Sequence, residues 1–114
     1  MMNPIPLALL GDECVLKKYR RSLAGRELIG QTQLRNVRIC RSRYWKSDGK
    51  TDKICVSGML YFDAVNSRPE DVEFIGDGYV SEVEFENERY AVRSAEVFCD
   101  NDGLHHFEVQ LEMM

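Results

Sequence analysis

The sequence predicts an all-β fold: a small antiparallel β-barrel or sandwich of about six to seven strands, forming one domain over residues 1–114. Three observations carry this. Apolar and polar residues alternate at a period of two, as in "VSEVEF" and "HHFEVQL", and successive strand side chains point to opposite faces. Turn signals divide these windows, at Asp48-Gly49, Glu86-Asn87 and Asp100-Asn101-Asp102-Gly103. No window has the 3.6-residue period of a long amphipathic helix, so at most one short helical turn is expected, between Leu7 and Asp12. A chain of 114 residues suits a single modest core.

Taken in order, Pro4 and Pro6 hold the N-terminus as an extended arm, because a residue before proline is pushed out of the helical region. "ECVLKKYRR" follows as a strand, with Cys14, Leu16 and Lys18 on one face. "SLAGR" (Ser22 to Arg26) is a turn or loop. Glu27 to Trp45 is a second extended run, and its interior Gly30 marks a bulge or bend. "KSDGKTD" is a polar hairpin turn. The return strand "KICVSGMLYFDA" places Ile54, Val56, Leu60 and Phe62 on one face and Cys55, Ser57, Met59 and Tyr61 on the other. "VNSRPEDVEFIGDGY" is a loop. In "VSEVEFENERYAV", Val83 and Phe85 point inward, Glu82, Glu84 and Glu86 outward, and Tyr90 and Val92 return on the inner face. Asn87 tolerates the positive φ of the tight turn. "RSAEVFC" and "HHFEVQLEM" complete the set. In the last, Phe107, Val109 and Leu111 face the core and His106, Glu108, Gln110 and Glu112 face water.

Composition bounds the function. No stretch is long and apolar enough to cross a membrane. "MMNPIPLALLGDE" lacks a basic n-region and a small-residue cleavage site, so no signal peptide is expected. The four cysteines, Cys14, Cys40, Cys55 and Cys99, form no CxxC pair. They read as reduced, small buried hydrophobes, although Cys40 and Cys55 could face each other across a hairpin. Residues 1–53 hold 12 Lys/Arg against 5 Asp/Glu, a charge of +7, whereas residues 54–114 hold 3 against 14, a charge of −11. Such a split either solvates exposed strand faces or gives a molecule with complementary poles.

No catalytic constellation is visible. His105 and His106 are adjacent, and in a regular strand they point to opposite faces, so they cannot share a metal. His105 at the core edge is expected to donate to a loop carbonyl, and His106 to sit exposed. No catalytic, metal or cofactor residues are assigned. Around the Asp48-Gly49 tip lie Arg38, Arg41, Arg43, Lys46, Lys50 and Lys53, a basic hairpin that can present its charge to an acidic partner. Arg41 and Arg43 continue the face of Val37 and Ile39, so apolar packing should give way there. Tyr44 and Trp45 are candidate interface aromatics, with Trp45 also readable as a core or hairpin-pair residue.

"FDAVNSRPEDVEF" (Phe62 to Phe74) resembles the D-x-x-N-S-x-P segment of a minor capsid protein family of tailed phages and prophages of Gram-positive bacteria. The residues concerned are Asp63, Asn66, Ser67 and Pro69. The likeness continues through "GDGYVSEVEFENERYAV" and closes with "LHHFEVQL", where His105, His106, Phe107 and Glu108 resemble the family's terminal strand. "LRNVRI" and "PIPLALL" also fit. Asn87 stands where relatives often carry Gly. The resemblance implies a non-enzymatic head–tail connector or head-completion protein, a homo-oligomeric ring under the portal that retains packaged DNA and docks the tail. Its partners would be further copies, portal and tail proteins and, non-specifically, DNA, with no membrane, and the basic hairpin would then line the DNA channel or contact a neighbouring subunit. It would be made in the host cytoplasm and reside in the virion. A tail-terminator role, an oligonucleotide-binding barrel and, more remotely, a small metal enzyme are the rival readings.

Overall fold

Six antiparallel strands close into one barrel: β1 (Asp12–Ser22), β2 (Gly25–Ser47), β3 (Asp52–Asp63), β4 (Val80–Phe85), β5 (Glu88–Asp100) and β6 (Gly103–Met113), in the order β1-β2-β3-β6-β5-β4. The computed structural model describes residues 3–47 and 49–114, and only the backbone of Lys46, Lys53 and Ile54. The expected Asp48 turn and the inward placement of Ile54 therefore fall outside the described residues. Of the two expected architectures the barrel is the one formed. The extended arm leads into a single 3₁₀ turn, Leu7–Leu9.

β2 is the strand that allows closure. Its first part pairs with β1 and its last part with β3, and Val37 is shared, opposite Asp12 on one side and Phe62 on the other. An extra residue lies on the β2 side between Leu34 and Val37, where Asn36 takes φ 55°. A second bulge falls where the sequence marked it: Lys18 faces Gly30 and Tyr19 faces Leu28, leaving Ile29 unpaired. Bulges add twist and bend a long strand from one neighbour to the next.

The hairpins are tighter than the sequence indicates. The expected Ser22–Arg26 loop reduces to Leu23-Ala24, because Gly25 at φ 115° closes the turn in a conformation that costs glycine little. In the β4–β5 turn both Glu86 (φ 51°) and Asn87 (φ 64°) are left-handed. Asn87 suits that backbone, but Glu86 does not, and a non-glycine residue there costs roughly 1–2 kcal/mol. Placing Asn-Gly at 86–87 should raise unfolding free energy by about 1 kcal/mol in urea denaturation, the gain in turn geometry exceeding the lost Arg41–Glu86 pair. A loss instead would mean that the ion pair outweighs the strain.

The interior contains Cys14, Leu16, Leu34, Val37, Ile39, Leu60, Phe62, Val83, Phe85, Tyr90, Val109 and Leu111, largely the inward faces expected from alternation. Two features depart from that pattern. Phe74, from the long segment between β3 and β4, is buried and packs edge-to-face on Phe62 (5.7 Å) and Phe107 (5.6 Å). Glu82, expected to face water, is only 3% exposed. Its strand position is outward, but Arg26 and Arg89 close over it from both sides.

Candidate functional site

The predicted basic hairpin forms a projecting arm. β2 leaves β1 at Val37, and β3 meets β6 only from Ser57 onward. Arg43–Ser47 and Asp52–Val56 therefore pair with each other alone. The cations do not gather on one face of it. Arg41 turns back to the barrel mouth, where its guanidinium lies 2.6 Å from Glu86, 3.5 Å from the Tyr90 hydroxyl and over the Phe85 ring at 4.9 Å. The hydrogen bonds to Tyr90 and Glu86 raise its already high pKa further. Arg38 lies on the opposite face and donates from Nε to Cys40 Sγ at 3.3 Å. Arg43 is exposed and makes no ion pair among the described residues. Lys50 is exposed and has a partner. Lys46 and Lys53 are opposite in backbone register, and their side chains lie outside the described residues. Tyr44 is 42% and Trp45 72% exposed, so Trp45 is not a core residue; it pairs with Ile54 across the hairpin.

Much of the charge split is used internally. Lys17–Glu84 (2.7 Å), Arg26–Glu82 and Arg41–Glu86 each join a basic-half residue to an acidic-half one. The cause is topological: β1 and β2 bracket the acidic strands through β4 and β3. The poles are thus partly neutralised within one molecule.

A second cationic region, missed in the sequence, lies at the far end of β1. A groove of about 470 Å³ is lined by Tyr19, Arg20, Arg21, Arg26, Gly78, Tyr79 and Val80. Arg26 stacks on Tyr19 at 4.1 Å and Lys18 on Tyr79 at 4.9 Å. Burial and the Glu73 contact push the Tyr79 phenol up to about 12. The signal was present in "KKYRR", a basic run around a tyrosine, but only folding brings it beside the Gly-Asp-Gly-Tyr turn.

The motif residues form a fastening. Asp63 is fully buried. Its Oδ1 accepts from Ile5 N at 2.9 Å and its Oδ2 from Val65 N at 3.0 Å and Asn66 N at 2.8 Å. The Asn66 amide donates to the Ile5 carbonyl at 2.8 Å. Ser67 Oγ accepts from Asp63 N at 2.8 Å and donates to the Asn36 carbonyl. Arg68 exchanges backbone hydrogen bonds with Arg35 (2.9 and 3.0 Å), and a cis peptide bond joins it to Pro69. One short segment thus secures the N-terminal arm, the β2 bulge and the end of β3.

The histidines depart from the regular-strand argument. Phe98 faces His106 while Cys99 faces Leu104, so His105 is the bulged residue and alternation fails there. The two rings meet, Nδ1 to Nδ1 at 2.7 Å. His105 Nε2 lies 2.6 Å from the Asn3 carbonyl. A carbonyl only accepts, so this nitrogen carries hydrogen and, in the neutral ring, Nδ1 accepts from His106. The expected donation to a carbonyl is present, but the acceptor belongs to the N-terminal arm and not to a loop. His106 is not exposed as expected: its side chain is 15% exposed, stacked on Phe98 at 4.8 Å and 3.4 Å from Glu108. Phe107 packs inward on Phe62 at 6.2 Å. Among the described residues no group of three or more His, Cys, Asp or Glu is placed to hold a metal.

The cysteines are corrected too. All four are free, only Cys14 is buried, and Cys40 and Cys99 are exposed. Cys40 faces Met59 and Cys55 faces Tyr44, so Cys40 and Cys55 are not opposite each other. Burial, with Asp12 nearby, pushes the Cys14 thiol from 9.0 up to about 12. Alkylation of the folded protein should label Cys40 and Cys99 and spare Cys14, as read by peptide mass spectrometry. Since the folded value is the higher, the stability Cys14 contributes is complete below pH 9 and is lost as pH rises toward 12. Cys14→Ala should flatten that part of the pH profile.

No family model matches the chain, and a search of curated proteins finds no match.

Proposed function

We propose that the chain is a non-enzymatic structural protein of the phage head–tail junction, assembling as a ring beneath the portal, helping to retain packaged DNA and docking the tail. The observation that carries this reading is the β2–β3 arm. A closed barrel holds out a strand pair with Tyr44, Trp45 and Arg43 in solvent, Arg43 having no ion pair among the described residues. Aromatic and arginine side chains held on a firm scaffold are typical anchors of protein contacts. The resemblance of Phe62–Phe74 and Leu104–Leu111 to the minor capsid family supports the same reading. Its partners are then further copies, the portal and tail proteins, and its location the virion.

The test is deletion of the gene from its phage or prophage, with electron microscopy of the lysate. Separate tails beside heads that have lost DNA are expected. DNA-filled heads beside loose or overlong tails would transfer the protein to tail completion. Normal particles would overturn both.

The Tyr19–Tyr79 groove favours a second reading, an oligonucleotide-binding barrel, since arginines beside aromatic rings suit phosphate and base contact. Titration with single-stranded DNA at low salt tests it, and absence of binding removes it.

A further inference from the structure

A fully paired barrel has no strand edges, but the stagger of β2 leaves two open stretches here. Beyond Val37, β2 has a neighbour only on its β3 side. The last backbone group secured on the other side is Ile39 N–H, which donates to Asp12 Oδ2 at 2.8 Å. Groups on alternate residues point the same way, and the register beyond Ile39 is unbroken. Arg41, Arg43 and Trp45 therefore present backbone N–H and C=O groups outward. On the other side of the molecule β5 leaves β4 at Ala91 and continues with β6 alone to Asp100. Ser94 to Phe98 form the second open edge.

We infer that copies of this protein join by annealing the β2 edge Arg41–Trp45 of one onto the β5 edge Ser94–Phe98 of the next. This rests on the assembly reading above and names the surfaces that perform it.

The two edges differ in charge and match in apolar content. The β2 edge carries the unpaired Arg43 with exposed Tyr44 and Trp45. The β5 edge carries Glu96, with Val97 58% and Phe98 37% exposed. Within one molecule Glu96 stands directly opposite Glu108, and like charges so placed repel. A neighbour's Arg43 relieves that repulsion. Main-chain hydrogen bonds supply adhesion, as in strand addition generally, while the charges choose the partner. Because the edges are different, each copy uses one of each. The contact is heterologous, and growth does not stop at a dimer but proceeds to a ring or a filament.

Sedimentation of the full chain over a range of concentration and salt tests this. Assembly beyond the dimer, weakened by salt, is expected. Arg43→Glu should give a monomer of unchanged thermal stability, and Glu96→Lys a monomer at least as stable as the wild type, since it also removes the repulsion from Glu108. Mixing the two variants should restore assembly, because every junction in the mixture can again pair opposite charges. Trp45→Pro, which removes an outward N–H without touching the β3 ladder, should also give a monomer. A wild-type chain that stays monomeric, assembly that stops at a dimer, or assembly indifferent to the reversals would overturn the inference. Monomeric variants that still complete phage particles would sink edge annealing alone. An assembling wild type whose deletion leaves particles normal would sink the head–tail role alone.

Discussion

Replacing Phe74 with alanine is expected to cost about 3–5 kcal/mol, the range for deleting a buried aromatic ring. Against a total stability of about 5–15 kcal/mol for a domain of this kind, that is a large fraction. The ring makes one corner of an aromatic triangle with Phe62 and Phe107, at centroid separations of 5.6 to 6.2 Å. It comes from the segment between β3 and β4, so no strand pairing holds it in place. The Ser81 hydroxyl donates to the Phe74 carbonyl at 2.6 Å and fixes the backbone there. The surrounding strands are tied by their ladders and cannot collapse into the space. Urea denaturation followed by far-ultraviolet circular dichroism reads the effect. Phe74→Leu should lose much less. A cost under about 1 kcal/mol for the alanine would show that the ring does not seal the barrel.

Removing the Asp63 carboxylate is expected to cost about 3 kcal/mol or more. The backbone N–H groups of Ile5, Val65 and Asn66 lose their acceptors together. A buried donor left unsatisfied costs about 1–3 kcal/mol. Asp63→Ala strands all three, whereas Asp63→Asn keeps the shape and one accepting oxygen but turns an amide against a donor. Asparagine should therefore recover only part of the loss. Amide hydrogen exchange adds a local readout. In either variant Ile5, Val65 and Asn66 should lose protection before β1 or β6 does, because the arm is held at Ile5 by this carboxylate and the Asn66 amide. Unchanged protection at Ile5 would show that the arm is held by other contacts.

The carboxylate also shows how far a sequence can be read. The D-x-x-N-S-x-P segment is visible in the sequence, but the work of its residues is not. Asp63 and Asn66 bind Ile5, 58 and 61 residues away, and Ser67 binds Asn36, 31 residues away. No local pattern encodes a hydrogen bond across such a distance. The Glu86-Asn87 turn was legible because turn chemistry is local, and so was the bulge at Gly30. The bulge at His105 was not, since it arises from the register that β5 imposes on β6. That single shift brings together two rings that alternation keeps apart. Arg41 shows the same limit. It was counted with the basic hairpin, yet it is drawn to Glu86, Glu88 and Tyr90 by strands that arrive later in the chain.

By itself the sequence determined the fold class, the inward faces of the strands and the position of most turns. Each depends on neighbours one to four residues apart, through side-chain alternation and the backbone preferences of Gly, Asn and Asp. Only the tertiary structure decided that β2 serves two partners, that the charged halves partly neutralise each other, and that Glu82 is buried beneath two arginines. It also decided where β2 and β5 run past their neighbours and leave edges open. These depend on strand order and stagger, which arise when the whole chain closes on itself, and a window of a few residues contains neither.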